Sequence, residues 1–401
     1  MKRVIFTYII SFLYILASAQ ESLPSWQEGY MDIHTIATGK GESLFIVMPD
    51  GTTMVIDAGD TRNGRMICEA YPDDSKSPAE WISVYIDHFS PHGKAKVDYF
   101  WLTHFHTDHF GNVNAMKPGE RYGLSGIMEL GEYVDFGKII DRGYPDYDFP
   151  SRNLIVEKSG GAIRDYLAFI EYKKGCGTEI ERFNVGVADQ FVLKHNPEKF
   201  KDLFRIKNLA CNGEIAQGNK TVKMYKGDPE TSTDENMLSG AVLIEYGPFR
   251  YYTGGDIIGS CYGPASGAAD ARDFETPIAD IIGKVHVMKA NHHAWKDALN
   301  PYFLWVTRPD AIIVPSYHIN HPWRETVDRV RDPQMPGEGI MFLTSDAARG
   351  QLGEERWKKF PPFGHIVVRV FNEGRSYCIF VLDPKSKDYK IIYDTKTINL
   401  N

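Results

Sequence analysis

The sequence predicts an α/β chain whose chemistry is carried at strand ends. Three observations predict it. A strand-turn-strand-turn-strand pattern runs from Met31 to Asp60, with Gly39-Lys40-Gly41-Glu42-Ser43 and Pro49-Asp50-Gly51 as its turns. The apolar run Val97 to Leu102 reads as a short buried strand and leads directly into a segment dense in His and Asp. Later strand patterns run into Gly254-Gly255-Asp256, Asn291-His292-His293 and Ser316-Tyr317-His318-Ile319-Asn320-His321.

The dense segment is His104-Phe105-His106-Thr107-Asp108-His109, followed by Phe110-Gly111. Alternate residues at a strand end project to one side, so His104 and His106 can hold one metal ion between them. Thr107 is placed to cap a helix, which brings Asp108 and His109 back toward the same space. Gly111 removes a side chain where the backbone would crowd the ions. Three imidazoles and a carboxylate form a mixed nitrogen and oxygen set suited to zinc, with manganese or iron as alternatives. This His-x-His-x-Asp-His pattern resembles the signature of the metallo-β-lactamase-fold hydrolases. The resemblance implies an α/β fold of four layers, an αβ/βα sandwich, with two metal ions at the sheet ends between the halves. One domain is expected over about residues 26–395, with loop insertions at about 62–96 and 128–187.

Taken in order, the chain opens with an export signal. Lys2 and Arg3 precede an apolar stretch, Val4 to Ala17, and Ala17-Ser18-Ala19 is a small-residue cleavage site, so residues 1–19 read as a signal peptide. The apolar run is short for a transmembrane helix, and an uncleaved anchor is the alternative. The protein is therefore expected in a periplasm or outside the cell. The whole chain carries a net charge of −8, and loss of Lys2 and Arg3 makes it about −10. A surface of that sign does not favour nucleic acid as a partner. The five cysteines are scattered without a Cys-x-x-Cys pair, which argues against a cysteine zinc site.

The opening hairpin delivers Asp57 in Ile56-Asp57-Ala58-Gly59, where the resemblance implies a carboxylate bracing the metal loop. The Gly-x-Gly-Glu turn, Pro-Asp-Gly and Ile-Asp-Ala-Gly together resemble the hydrolase module of the ComEC-type competence proteins, without their membrane channel. Residues 128–187 carry no motif, although 141–150 are dense in turn formers and rings that suit either a substrate wall or a structural flap. In the second half, His195 and Asn236 compete for the superfamily's third histidine on the first ion. The competence-like branch has Asn there, so Asn236 is placed near the site and His195 outside it. The resemblance makes Asp256 a carboxylate shared by both ions. Lys289-x-x-His292-His293 resembles the competence-like Lys-x-x-His-His. His292 is taken as a ligand of the second metal and His293 as a proton donor or phosphate contact; the reverse assignment stays open. His321, in the loop Ser316-Tyr317-His318-Ile319-Asn320-His321-Pro322, which is similar to the closing loop of that branch, is placed over the leaving group, and His286 reads as a core residue.

The expected activity is metal-dependent hydrolysis by a metal-bound hydroxide, with Asp108, His293 and His321 as catalytic groups and His104, His106, His109, Asp256 and His292 as further ligands. A phosphodiester or phosphoryl ester, small or polymeric, is the first substrate class. A carbonyl centre (lactone, thioester or β-lactam) and a binding protein with an impaired site are the alternatives.

Overall fold

The computed structural model describes residues 22–61, 64–93, 96–259 and 272–400, so the expected signal peptide and Cys261 lie outside the described residues. Its strands in chain order are β1 Met31–Thr35, β2 Leu44–Val47, β3 Thr53–Ile56, β4 Lys96–Trp101, β5 Asp135–Asp141 and β6 Glu179–Arg182. They continue with β7 Phe204–Cys211, β8 Glu214–Gln217, β9 Lys220–Lys223, β10 Ala241–Tyr246, β11 Phe249–Thr253 and β12 Val287–Lys289. The last six are β13 Ala311–Val314, β14 Ile340–Leu343, β15 His365–Phe371, β16 Ser376–Leu382, β17 Ile391–Asp394 and β18 Ile398–Asn399.

Two sheets result. The first has the order β17-β16-β15-β1-β2-β3-β4-β5-β6, with β18 also paired to β16. The second runs β14-β13-β12-β11-β10-β7-β8-β9. Period-two alternation in β3 sends Met54 and Ile56 to the space between the sheets, where they meet Trp101, Val242, Ile244 and Val287. Val55 points the other way, against Ile82 and Ile86 of the helix Pro78–Phe89. Met288 of β12 likewise turns outward against Ile278 and Phe303 of the helices Glu275–Ile282 and Pro301–Thr307. Each such buried side chain contributes roughly 1.5–3 kcal/mol. The layers are helix, sheet, sheet, helix, as the sequence predicts.

The strand directions place the chemistry. β3, β4, β5 and β6 are parallel, and so are β11, β12, β13 and β14. Parallel strands in register end at a common level: Ile56 lies beside Trp101, and Tyr252 beside Met288. The residues just beyond those ends therefore gather on one rim, as ligand sites do in open α/β sheets. No helix among the described residues is long and apolar enough to cross a membrane. Cys68, Cys176, Cys211 and Cys378 are free thiols.

Residues 128–187 carry β5, β6, most of the helix Gly126–Tyr133 and the helices Arg152–Lys158 and Ile163–Gly175, which extend and cover the first sheet. Residues 62–96 likewise hold the helix Pro78–Phe89, started by a capping box between Ser77 and Glu80. Of the two readings of 141–150, the structural one holds. Asp141 accepts hydrogen bonds from the hydroxyls of Tyr147 and Tyr166, each at 2.8 Å, and from the amides of Gly143 and Tyr144. Arg142 is buried and forms a two-pronged ion pair with buried Glu235 at 2.8 and 2.6 Å. Glu235 in turn accepts the Phe105 amide at 2.7 Å, between His104 and His106.

Arg142→Met removes the partner of a buried carboxylate, which costs about 3–5 kcal/mol. Urea unfolding of the variant should show that loss at an unchanged m value. A change below about 1 kcal/mol, the size of an exposed pair, would contradict a buried role.

Candidate metal centre

The site is built from strand ends whose side chains are fixed from behind. Asp57 leaves β3 with a left-handed φ of 59°. Its Oδ1 accepts the Thr103 amide at 2.8 Å, and its Oδ2 accepts the Thr103 hydroxyl and His109 Nδ1–H, both at 2.8 Å. Because the Thr103 hydroxyl donates to Asp57, its oxygen is left to accept from His104 Nδ1, 3.1 Å away. One carboxylate thus sets the tautomer of two imidazoles and turns the Nε2 lone pair of each inward. His293 is treated alike, with Nδ1 2.9 Å from the Pro315 carbonyl.

The inward atoms converge in two sets. His104 Nε2 lies 3.1 Å from His106 Nδ1 and 3.9 Å from Asp256 Oδ2. His109 Nε2 lies 3.2 Å from the same Asp256 oxygen, 3.3 Å from His293 Nε2 and 3.5 Å from Asp108 Oδ2. His293 Nε2 is 3.1 Å from Asp108 Oδ2 and 3.3 Å from Asp256 Oδ2. Asp256 belongs to both sets, and its Oδ1 is buried without a hydrogen bond. Such nitrogen and oxygen sets suit a zinc-like divalent ion; the Asp256 oxygen that faces both is Oδ2, while Oδ1 lies 4.0 Å from Lys289 Nζ.

The electrostatics also favour positive charge here. Burial alone would keep His109 neutral, but the carboxylates of Asp256, Asp108 and Asp57 hold its pKa well above the ordinary histidine value. Burial opposes the charge on His293 too, yet Asp256 and Asp108 raise it to about 9. Against their own burial, Asp108 and Asp256 are held well below the usual carboxylate range by His109 and His293. A bound cation would take the place of these protons, so affinity should fall as the pH drops.

The structure separates the two members of the histidine pair, whose order the sequence left open. His293, not His292, joins Asp108, His109 and Asp256, because the backbone is left-handed at both residues (φ 43° and 50°) and does not alternate them as a strand would. The Nδ1 of His292 instead meets Asp297 at 2.7 Å, and its Nε2 lies 3.3 Å from Asn236 Nδ2. His321 stacks on His293, ring centroids 4.6 Å apart at 13°. His195 lies elsewhere, 3.3 Å from Asp98, and His286 accepts the Arg250 amide at the base of β12. Gly111 also has a different reason from the expected one. A Cβ there would sit 2.8 Å from the Ser125 carbonyl rather than near the ions. Gly59 is tighter still, since a Cβ would fall 1.8 Å from the carbonyl oxygen of Asp108.

Sequence reasoning missed Lys289, Glu42, Tyr317 and Glu275 as contributors. Lys289, wholly buried, holds Glu42 at 3.1 Å and the Gly255 carbonyl at 2.5 Å, and stands 4.0 Å from Asp256 Oδ1. Glu42 Oε2 is also 3.5 Å from His293 Nδ1. The Tyr317 hydroxyl donates to Asp108 Oδ2 at 2.5 Å. A lysine ending an apolar strand and an acid in a Gly-x-Gly-Glu turn were the available signals. Glu275 accepts from Asn291 Nδ2 and the amides of Leu299 and Asn300, clamping both ends of the loop that carries His292 and His293. The centre opens on a cleft of about 400 Å³ lined by His106, Asp108, His292, Trp295, Tyr317 and His321, among others.

No protein-family model and no curated protein matches the chain. Solved structures give distant likenesses. A mutant of the CmlA β-hydroxylase aligns with a TM-score of 0.39 at 11% identity over 87% of this chain; the alignment spans only 55% of that protein. A Zn-dependent hydrolase of the metallo-β-lactamase superfamily from Thermotoga maritima gives 0.26 at 11%, covering 71% of this chain and 74% of that one. The Rm3 metallo-β-lactamase gives 0.31 at 12%, covering 78% and 88%. Likeness this distant adds nothing to the geometry.

Asp57→Asn presents an amide to His109 Nδ1–H and should weaken divalent binding about 10–100-fold in a chelator competition. An unchanged affinity would contradict the bracing role. Glu275 supplies a pH prediction. Burial raises its pKa from 4.5 to about 7 despite the hydrogen bonds that lower it. A carboxyl raised on folding gives stability that is full below the unfolded pKa and lost as the pH rises through the folded one. Between pH 4.5 and about 7 the wild type should lose on the order of 3 kcal/mol relative to Glu275→Gln. Parallel stability curves for the two proteins would contradict it.

Proposed function

We propose that the chain is an exported hydrolase of the metallo-β-lactamase type, similar in motif to the competence-protein branch, which uses two zinc ions to cleave small phosphoryl esters. The observation that carries this reading is Asp256, one carboxylate shared by two inward-facing ligand sets 3.2–3.9 Å away. A paired site of that kind is the arrangement of two-metal phosphoesterases. His104, His106 and Asp256 would hold one ion, and Asp108, His109, His293 and Asp256 the other. When bound, the ions supply Lewis acidity and acidify a coordinated water toward neutrality.

The protein's own groups then have separable tasks. Asp108, ionised and fixed by the Tyr317 hydroxyl, orients the attacking water through a carboxylate oxygen. Asp57 and the Pro315 carbonyl hold the imidazoles in one tautomer. Burial keeps His321 and His318 neutral, so each can offer an N–H to a phosphoryl oxygen at the cleft. Among the described residues no Lys or Arg lines that cleft. A long polyanion would lack a cationic track, which favours a small ester over nucleic acid.

Metal content of the mature protein by elemental mass spectrometry, paired with hydrolysis of bis(p-nitrophenyl) phosphate, tests the proposal. Two ions per chain are expected, with a rate that falls more than about 100-fold in His106→Ala and in Asp256→Ala. Turnover of a lactone, thioester or β-lactam in place of the phosphate would move the chemistry to a carbonyl centre. A metal-free, inactive protein would leave a binding role.

A further inference from the structure

The cleft over the metal centre has a wall of rings, with Trp295 beside His292, His318 and His321. We infer that Trp295 selects the substrate's organic group, by stacking a planar aromatic ring of the phosphoryl ester against its indole. The inference rests on the phosphoryl-ester reading of the preceding subsection and names the class of ester within it.

The indole is held rigidly from behind. The Trp295 amide donates to the His292 carbonyl at 2.7 Å, and its carbonyl accepts the Thr326 hydroxyl at 3.0 Å. The neighbouring Ala294 is left-handed, and its carbonyl accepts the Trp323 amide at 2.9 Å. Trp323 packs on the indole with ring centroids 5.3 Å apart, and the His321 ring meets it nearly edge-on at 5.4 Å and 81°. Trp295 is nonetheless only half-buried, so part of its surface stays open to the cleft. A large ring already fixed by its neighbours loses little freedom when a ligand settles on it.

Its position suits a ring attached to the reacting group. His321 stacks on His293 of the metal centre at 4.6 Å, and Trp295 is the next ring beyond it. One imidazole therefore separates the indole from the metal ligand. A phosphoryl group at the ions, with a ring on its ester oxygen, covers that span.

The rest of the cleft disfavours other organic groups. Without a Lys or Arg among its lining residues, it offers no partner to a second anionic group. Its polar side chains other than histidine are already engaged. Asp108 accepts from Tyr317, Asp256 belongs to both ligand sets, and Asn236 Nδ2 donates to His292 Nε2. The several hydroxyls of a sugar would go largely unmet there, whereas a flat, weakly polar ring needs no such partners. A volume of about 400 Å³ is in the range of a small-molecule site.

The test titrates the zinc-loaded mature protein with phosphonates by isothermal titration calorimetry. Benzylphosphonate is a phenyl ester with CH₂ in place of the bridging oxygen, and methylphosphonate has the same head group without the ring. Wild type should bind benzylphosphonate about tenfold more tightly than methylphosphonate. Trp295→Ala and Trp295→Leu should cut that preference to about twofold or less, with methylphosphonate affinity and metal content unchanged, and Trp295→Phe should keep most of it. A full preference in Trp295→Ala, or equal weakening of both ligands, would overturn the inference. So would cyclohexylmethylphosphonate binding wild type as tightly as benzylphosphonate, a comparison that needs no variant to fold. Wild type that binds methylphosphonate without preferring the ring would overturn the inference alone. Wild type that binds neither would overturn the phosphoryl-ester reading and the inference with it.

Discussion

The structure depends on crowding four carboxylates into one site, with Asp57, Asp256 and Glu42 buried and Asp108 partly exposed. Moving an ionised carboxylate out of water costs several kcal/mol, and mutual repulsion adds to that. The fold answers with matched partners. Lys289 pairs with Glu42, the imidazoles of His109 and His293 face Asp256 and Asp108, and the hydroxyls of Thr103 and Tyr317 donate to Asp57 and Asp108 respectively. The arrangement is consistent only if positive charge occupies its centre.

That demand explains features remote from the cleft. Glu235 fixes the backbone between His104 and His106, and Arg142 fixes Glu235, so the corner at 141–150 supports the site without touching it. Glu42 donates its amide to the Asp108 carbonyl at 2.9 Å, and Gly59 packs against that carbonyl so closely that a side chain would displace it. The first hairpin therefore sets the level of the dense segment through backbone contacts, while the second sheet brings Asp256 and His293 to meet it.

The strands and the rim were legible in the sequence because they follow from local pattern, whereas the four layers came only with the resemblance that the dense segment carries. β3 and β4 alternate or run apolar; β3 ends in Asp57, ordinary for a turn, while β4 leads into a cluster of His and Asp that is not. Asp57, His104, His106, Asp108, His109 and Asp256 lie at such ends, and the structure gathers them. What stayed hidden depends on long-range partnership. Lys289 and Glu42 are 247 residues apart, and neither reveals its partner locally. The order of His292 and His293 turned on a left-handed backbone that the neighbouring Ala290, Asn291, Ala294 and Trp295 do not announce. Residues 128–187 looked like an insertion because β6, Glu-Ile-Glu-Arg, is a polar edge strand of four residues with little apolar signal. Its place shows only once β5 is paired to it.

The central claim is that the buried carboxylates and imidazoles are two cation sites joined at Asp256. The most direct measurement is a crystal of the protein grown with Zn²⁺, with anomalous difference maps recorded on either side of the zinc absorption edge. The account predicts two peaks flanking Asp256, one against His104 and His106 and the other against His109, His293 and Asp108. A map without peaks there, or with zinc held only at surface carboxylates, would contradict it.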